Sequence, residues 1–332
     1  MTIRDMFTRK VITGILFFYL LGLKVGAQQV PLYSQYVLNN FLINPAIAGS
    51  EGYGSLSLVA REQWIGMQNA PSTYALSFHS RVTHDWHQRR KPPIRLRQKY
   101  GFTTGKVGFG AYVFHDQAGA LGRTGLRASY AYHLYNKSNG HQLSFGLSLV
   151  GYQLKFDESK VNLRDEDDEV WMEAKEPVFI PDADFGIYYS TPRFFVGFSA
   201  DQLLESVIKF GNEGFDEFRL ERNYYLMGGY DFVLDRQLLL TPSTLLKLAE
   251  NGAFQGDFGL KLHYDQKYWG EVSYRTGSAI ILKAGVSVDR YVFGYAFDIS
   301  LSNIMKHSYG SHEFIFALKL GSTQGKYRYM SR

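Results

Sequence analysis

The chain has no cysteine among its 332 residues and only 9 prolines. Without thiols it has no disulfide framework, thiolate zinc site, iron–sulfur cluster, cysteine nucleophile or lipidated cysteine. The net charge is also small, since 36 Lys and Arg against 31 Asp and Glu give a formal net charge of +5. Four basic residues and one acidic residue in the first 27 account for +3 of this excess. The remainder is too close to neutral to indicate a nucleic-acid partner.

Aromatic residues, by contrast, are abundant. They make up 16% of the chain and include 24 Tyr and 25 Phe, which excludes a disordered protein. The 33 glycines follow no period, which excludes a fibrous protein. The length allows two domains of about 150 residues, but a single all-β domain can be this large.

The N-terminus has the three parts of a secretory signal. Residues 1–10 are positively charged, residues 11–23 form a continuous apolar run of 13, and residues 25–27 are small or compact. A membrane-spanning helix needs about 20 apolar residues, so an anchor is disfavoured. The pattern predicts a cleaved signal peptide over residues 1–27, with the mature chain beginning at Gln28 outside the cytoplasm.

From about residue 53 onward, apolar and polar side chains alternate. In segment 291–301 one face carries Phe293, Tyr295, Phe297, Ile299 and Leu301, and the other carries Val292, Gly294, Ala296, Asp298 and Ser300. The pattern recurs in segments 126–134, 143–149, 258–264, 280–288 and 313–320. Since successive side chains of a strand point to opposite sides, these segments predict strands with one apolar and one small or polar face.

A soluble β-sandwich also alternates, but three features favour a membrane barrel. Many predicted strands reach ten residues, against about five or six in soluble sheets. Their apolar faces often begin or end in an aromatic residue, as an interfacial girdle does. A signal peptide without cysteines or a membrane helix also fits an outer-membrane barrel. A sheet can span lipid only when it closes, because every backbone polar group must be paired.

The sequence therefore predicts an all-β fold, a transmembrane up-and-down antiparallel β-barrel of about 14 strands in the cell outer membrane. The predicted strands are 53–62, 73–82, 106–117, 122–135, 141–156, 182–190, 193–201, 222–234, 237–248, 253–264, 268–275, 279–288, 291–301 and 311–320. The barrel would occupy residues 53–320. Residues 28–52 would be an N-terminal non-strand segment, either a plug or a periplasmic segment, and 321–332 a C-terminal tail.

Charged residues fall on the polar faces of these strands. Arg61 shares a face with Ser55, Ser57 and Val59, and is predicted to point into the lumen. The same reasoning places in the lumen Arg81, Arg127, Lys261, Arg275, Lys283, Glu271, Asp298 and Glu313. They would form either an ion-pair network that braces the barrel and the N-terminal segment, or a charged conduit or docking surface.

Short blocks at both ends of the mature chain resemble the PorP/SprF family. They are Tyr-Ser-Gln-Tyr at 33–36, Asn-Pro-Ala-Ile-Ala-Gly-Ser at 44–50, Arg-Glu-Gln-Trp at 61–64, Ala-Pro-Ser-Thr at 70–73, Tyr-Arg at 274–275, Tyr-Ala-Phe-Asp-Ile-Ser at 295–300 and Gly-Ser-His-Glu at 310–313. The family comprises membrane proteins of the type IX secretion and gliding motility machinery of Bacteroidetes. The candidate residues for partner binding or for the plug and lumen are Ser34, Gln35, Tyr36, Asn44, Pro45, Gly49, Arg61, Gln63, Trp64, Pro71, Thr73, Arg275, Asp298, His312 and Glu313.

The resemblance implies a non-enzymatic barrel without a cofactor. Its partner would be a secreted cargo, such as the C-terminal domain of a surface adhesin, or the type IX secretion components of the periplasm and outer membrane. The alternative from the transport class is a diffusion channel or solute transporter. A barrel enzyme is disfavoured, because no nucleophile accompanies His79, His133 or His263 and Gly-x-Ser-x-Gly is absent.

Two charged segments are candidate ligand sites. His84 and His87 lie in a basic segment without a third metal ligand; if external, this segment suits outer-membrane lipopolysaccharide or a partner protein. The acidic run 165–169 fails the EF-hand pattern, because position six is Val170 and not glycine. The segments 157–181 and 202–221 are predicted to be the longer, extracellular or partner-facing connections.

Overall fold

A computed structural model describes residues 39–82, 106–136, 139–160, 177–205, 207–208 and 218–320. The predicted signal peptide, the histidines at 84 and 87, the acidic run and the C-terminal tail lie outside the described residues. Within them most of the chain forms one large antiparallel sheet in which consecutive strands pair and the two ends of the sheet join.

Fourteen strands build the wall of the barrel. They are β1 Gly54–Glu62, β2 Ser72–Val82, β3 Lys106–Ala118, β4 Leu121–Tyr135, β5 Gln142–Phe156, β6 Val178–Ser190, β7 Phe194–Asp201, β8 Asn223–Tyr230, β9 Leu238–Ala249, β10 Phe254–Tyr264, β11 Tyr268–Arg275, β12 Ala279–Val288, β13 Tyr291–Ser300 and β14 Ser311–Leu320. The two-residue strand Phe232–Val233 pairs with β9, and Val207–Ile208 pairs with Phe218–Arg219 outside the wall.

The barrel closes through β1 and β14. Their register runs from Gly54 opposite Leu320 to Glu62 opposite His312. With β8 also paired to β9, the sheet has no open edge, which is the condition for a sheet to lie in lipid. The predicted barrel class and strand number are thus confirmed. In the described part of the chain, no helix is both long and apolar enough to cross a membrane.

The two faces of the wall differ as the alternation predicts. On β5, Leu147 and Leu149 point outward and are 59% and 75% exposed, whereas Ser144 and Ser148 point inward and are buried. Other exposed outward side chains include Phe109, Leu126, Val272 and Phe314. The apolar outer face is what a hydrocarbon surrounding requires.

The barrel has two distinct ends. We call the end where β1 starts and β14 stops the terminus end, and the opposite one the loop end. At the loop end lie the long connections 157–177 and 202–222. The connections at the terminus end are mostly short, such as those at 265–267 and 289–290, with the exception of 83–105.

Strand β6 begins at Val178, earlier than the predicted start at residue 182. Pro181, which directly precedes the predicted start, lacks the N–H that a ladder needs. The ladder between β6 and β7 begins only at Phe185, so Pro181 lies where β6 pairs with β5 alone. A proline is tolerated at such a position, because its nitrogen can face the side of the strand that has no partner.

The strand predicted to be continuous over 222–234 is interrupted at Asp231. Gly229 pairs with Ser243 and Phe232 pairs with Leu240, so the break falls opposite Thr241 and Pro242. Pro242 cannot donate a ladder hydrogen bond, which explains the gap. The N–H of Asp231 instead donates to Arg193 O at 2.6 Å.

Residues 39–53 precede the first strand and lie inside the barrel against the terminus-end half of its wall. We call this segment the plug. It contains two short 3-10 turns, Asn40–Leu42 and Pro45–Ile47, and its residues 41–50 are all buried. Of the two locations predicted for the N-terminal segment, plug or periplasm, residues 39–53 adopt the plug location inside the barrel.

Candidate functional site

The plug is held in shape by its own sequence. The side-chain Oδ1 of Asn44 accepts a hydrogen bond from Ala46 N at 2.9 Å, and so caps the turn that Pro45 begins. Gly49 has a φ of 70° and its backbone lies against Ser80 and Arg81. A side chain there would be strained and would meet the backbone of β2.

Asn44 also fixes the plug to the wall. Its Nδ2 donates to Ile187 O at 3.0 Å and to Phe198 O at 3.1 Å, on the neighbouring strands β6 and β7. Ser199 Oγ donates to Ile43 O at 3.0 Å. Both N–H groups of the buried Asn44 amide and its oxygen therefore have defined partners, which favours Asn over residues that cannot both donate and accept.

Inward-facing glycines make room for the plug. A Cβ atom would lie 1.9 Å from Ala48 O if placed on Gly108, and 2.2 Å from Ala46 N if placed on Gly146. On Gly186 it would lie 2.1 Å from Asn44 Oδ1. We call Gly108, Gly110, Gly146, Gly186 and Gly197 the glycine cradle. Sequence analysis missed it, although glycines on the small face of predicted strands were its visible signal.

Three polar side chains of the wall bind the end of the plug. Arg81 Nε donates to Gly49 O at 2.8 Å, and its Nη2 donates to Ser50 O at 2.6 Å. His133 Nε2 donates to Ala48 O at 2.9 Å, and His79 Nδ1 accepts from Gly49 N at 3.2 Å. Both histidines are thus lumenal hydrogen-bond partners of the plug.

The plug also packs through apolar side chains and ends near β14. Phe41 is 1% exposed, and its ring centroid lies 5.1 Å from His79 and 6.0 Å from Tyr112.

Burial raises the pKa of the Glu51 carboxyl, and a hydrogen bond from Tyr53 and the charge of Lys319 partly oppose this rise.

A charged network fills the loop end beside the seam between β1 and β14. Arg61 bridges two strands, with Nη2 at 2.8 Å from Asp298 and Nη1 at 3.0 Å from Glu313. Arg275 contacts Asp257 at 2.8 Å and lies 3.9 Å from Asp298. The structure thus brings together four of the candidate residues, from four different strands, and adds Asp257, which sequence analysis missed.

Further charges are paired deeper in this half of the lumen. Lys283 Nζ lies 2.7 Å from Glu271, and both side chains are buried. Lys261 Nζ lies 4.6 Å from the ring centroid of Trp269, a cation–π contact. The charged residues predicted to face the lumen all face it. The ion pairs among them have the geometry of a bracing network.

The remaining candidate residues are scattered. Thr73 faces the lumen and donates to Asp116 at 2.6 Å. Gln63, Trp64 and Pro71 lie in the half-exposed connection between β1 and β2. His312 contacts Tyr295 on the outer face, with Nδ1 at 2.7 Å from the hydroxyl oxygen. The candidates Ser34, Gln35 and Tyr36 lie outside the described residues.

A cavity remains between the plug and the loop end. Leu42 and Ile43 of the plug form its floor, and side chains of β2 to β8 form its walls. The volume open to the centre of a water-sized sphere is about 80 Å³. Within the described ranges, no group of three or more His, Asp or Glu side chains is arranged to hold a metal ion.

The family comparison matches most of the chain. The model of the type IX secretion system membrane protein PorP/SprF matches residues 25–318. This chain belongs to the PorP/SprF family. Family and closed barrel together indicate a membrane protein of the type IX secretion system in the outer membrane. No curated protein matches this PorP/SprF chain.

Solved structures similar to this PorP/SprF barrel include membrane channels and porins. The toluene transporter TbuX of Ralstonia pickettii is 11% identical over 86% of this chain and 94% of that one, with a TM-score of 0.47. The TodX monoaromatic hydrocarbon channel deltaS2 mutant is 9% identical over 86% and 94%, with a TM-score of 0.45. Salmonella typhi OmpF, in complex with daunomycin, is 10% identical over 82% and 99%, with a TM-score of 0.33.

Proposed function

We propose that this PorP/SprF barrel is a closed docking platform for protein partners of type IX secretion, and neither a conduit nor an enzyme. A secreted cargo domain would dock at the loop end, and periplasmic core components would contact the terminus end. The observation that carries the proposal is the filled lumen.

The interior of the barrel is nearly inaccessible to water. Asn44 of the plug is 0% exposed, Glu313 of the charged network is 1% exposed, and Lys261 of β10 is 2% exposed. Charges that line an aqueous pore remain hydrated, because removing them from water costs several kcal/mol per ion. Here the ions of the charged network are paired with one another instead, which supports a bracing role and disfavours a solute pathway.

Loop length supports the orientation. In bacterial barrels the short turns face the periplasm and the longer loops face the exterior. The long connections 157–177 and 202–222 therefore favour an external loop end, with the plug in the periplasmic half.

The loop end offers a firm surface for a partner. The connection after β1 is bound to the one before β14, because Ile65 N donates to Gly310 O at 2.9 Å and Tyr309 N donates to Ile65 O at 2.7 Å. Trp64 N donates to Ser311 Oγ at 3.1 Å. Tyr309 is nevertheless 79% exposed. A fixed, exposed aromatic side chain is a typical anchor of protein interfaces.

Crosslinking at the two ends tests the docking. A photo-crosslinking amino acid would replace Tyr309 at the loop end or the exposed Lys267 at the terminus end, in the chain's native bacterium. We expect a large secreted protein crosslinked at position 309 and periplasmic secretion components at position 267. Absence of protein crosslinks at both positions, with the barrel correctly folded, would contradict the proposal.

Planar-bilayer conductance tests the closed lumen. We expect the purified protein to be silent and a variant lacking residues 39–50 to conduct ions, because that deletion removes the plug. A stable current through the unaltered protein would support the channel alternative.

A further inference from the structure

The cavity above the plug has an acidic lining that the docking proposal does not use. Four carboxylates and two guanidinium groups line it: Asp116, Asp182, Asp184, Asp201, Arg123 and Arg127. Lys247 lies behind Tyr225, with Nζ 6.0 Å from the ring centroid. Even with this ammonium counted, the formal charge around the cavity is negative.

The two arginines are already engaged. Arg127 Nε lies 2.9 Å from Asp184 and its Nη2 lies 3.4 Å from Asp201. The guanidinium of Arg123 lies over the rings of Phe114 and Tyr152, 5.4 Å and 5.2 Å from their centroids. Arg123 Nη2 also lies 3.9 Å from Asp116. Both cations are therefore held in place, and Asp182 is the one of the four carboxylates that pairs with neither arginine.

Asp182 has an oxygen without a hydrogen-bond partner. The residue is 3% exposed, and its Oδ1 accepts hydrogen bonds from Ala183 N at 2.7 Å and Leu204 N at 3.2 Å. Its Oδ2 is buried and accepts no hydrogen bond from the described residues. A buried carboxylate oxygen in this state costs free energy that a bound donor would recover.

The shape of the site selects a cationic donor. Asp182 and Asp201 lie in the walls between the apolar floor of the plug and the ends of the strands, and Asp201 Oδ1 also accepts no hydrogen bond from the described residues. The rings of Tyr112, Tyr152 and Tyr225 border the same space. Carboxylates beside aromatic faces favour an ammonium or a guanidinium group over a neutral or anionic one.

We propose that this cavity is a binding site for an organic cation, an ammonium or guanidinium group that enters from the loop end and donates to Asp182. The cation would come from a lysine or arginine side chain of a protein or from a free polyamine. The inference goes beyond the docking proposal, because it depends on the cavity and not on the exposed loops.

Binding of defined probes to the full-length protein in detergent tests the site. The probes are a capped Gly-Ser-Gly-Arg-Gly-Ser peptide, the same peptide with citrulline in place of arginine, and spermidine, each titrated by calorimetry. We expect saturable one-to-one binding of the arginine peptide, spermidine or both, and at least about tenfold weaker binding of the citrulline peptide, because citrulline lacks the charge. The probe that binds tells a protein source from a polyamine source.

Matched substitutions locate the site. D182N should weaken cation binding about tenfold, whereas D289N, the same change at an exposed turn of the terminus end, should not alter it. Equal binding of the arginine and citrulline peptides, no saturable binding of any probe, or an unchanged affinity in D182N would overturn the inference. The comparison of arginine with citrulline needs no variant, so it remains decisive if D182N fails to fold. Crosslinking at positions 309 and 267 is independent of these results.

Discussion

At the scale of single residues, Arg61 is a buried cation that links three strands of the barrel. Its guanidinium contacts carboxylates of two strands, Asp298 and Glu313, and all three side chains are at most 5% exposed. Buried ions of this kind stabilise a protein only while every partner remains, because an unpaired buried charge is costly. Arg61 therefore holds the strands on either side of the closing seam.

Replacing Arg61 by methionine tests this role. R61M should lower the free energy of unfolding by about 3–5 kcal/mol, since it leaves buried carboxylates without their cation. Urea titration of the protein in lipid vesicles measures the change. The control is K267M, which removes an exposed pair with Asp265 at 3.3 Å and should cost at most about 1 kcal/mol.

A second substitution separates charge from packing. Adding E313Q to R61M should recover part of the lost stability, because it removes one of the uncompensated charges. If R61M cost no more than K267M, the buried network would not brace the barrel.

At the scale of elements, the plug and the glycine cradle fit closely. The chain has no cysteine, so a single cysteine can report on the plug. Ala48 is 0% exposed, and A48C should be unreactive toward a maleimide in the folded barrel. G146V in this background should raise the labelling rate at least about tenfold, because its side chain collides with the backbone of Ala46 and displaces the plug.

The matched control is G270V. Gly270 lies in β11, and a Cβ atom there would come no nearer than 3.9 Å to any atom outside its chain neighbours. Labelling of A48C should be unchanged in this variant. Protection of A48C that persists in a folded G146V barrel would show that the cradle does not retain the plug.

Sequence alone predicts the strands well, and the reason is visible in individual residues. Ser57, Val59 and Arg61 share the inward face of β1 because a pleated strand fixes that direction, whatever its neighbours are. The sequence does not predict the break at Asp231, because the break depends on Pro242 in the partner strand. The sequence of one strand does not show which residues of its neighbour it will pair with.

The same reasoning explains what could be predicted of the site. The lumenal direction of Arg61, Arg275, Asp298 and Glu313 follows from alternation, but their mutual distances follow from barrel closure. The plug does not alternate, so its location could be proposed only as one of several. Its hydrogen bonds to Arg81 and His133 join segments far apart in the chain, and no local pattern predicts them.

At the scale of the whole molecule, the outer apolar belt defines how the barrel sits in lipid. Leu147 lies near the middle of β5 and Gln153 lies six residues closer to the loop end on the same outward face. L147R should destabilise the barrel in lipid vesicles and lower its free energy of unfolding by about 2–4 kcal/mol, whereas Q153R should lower it by at most about 1 kcal/mol. Equal costs measured by urea titration would mean that the belt does not extend across β5 as its burial pattern indicates.

The position of the plug ahead of β1 has a consequence for biogenesis. Gly54 directly follows the plug, and its partner Leu320 ends the last strand, so the wall cannot close until almost the whole chain has been delivered. Entry after closure would require the ladder to open again. The plug must therefore wait for the last strand, and the later hairpins then assemble around it.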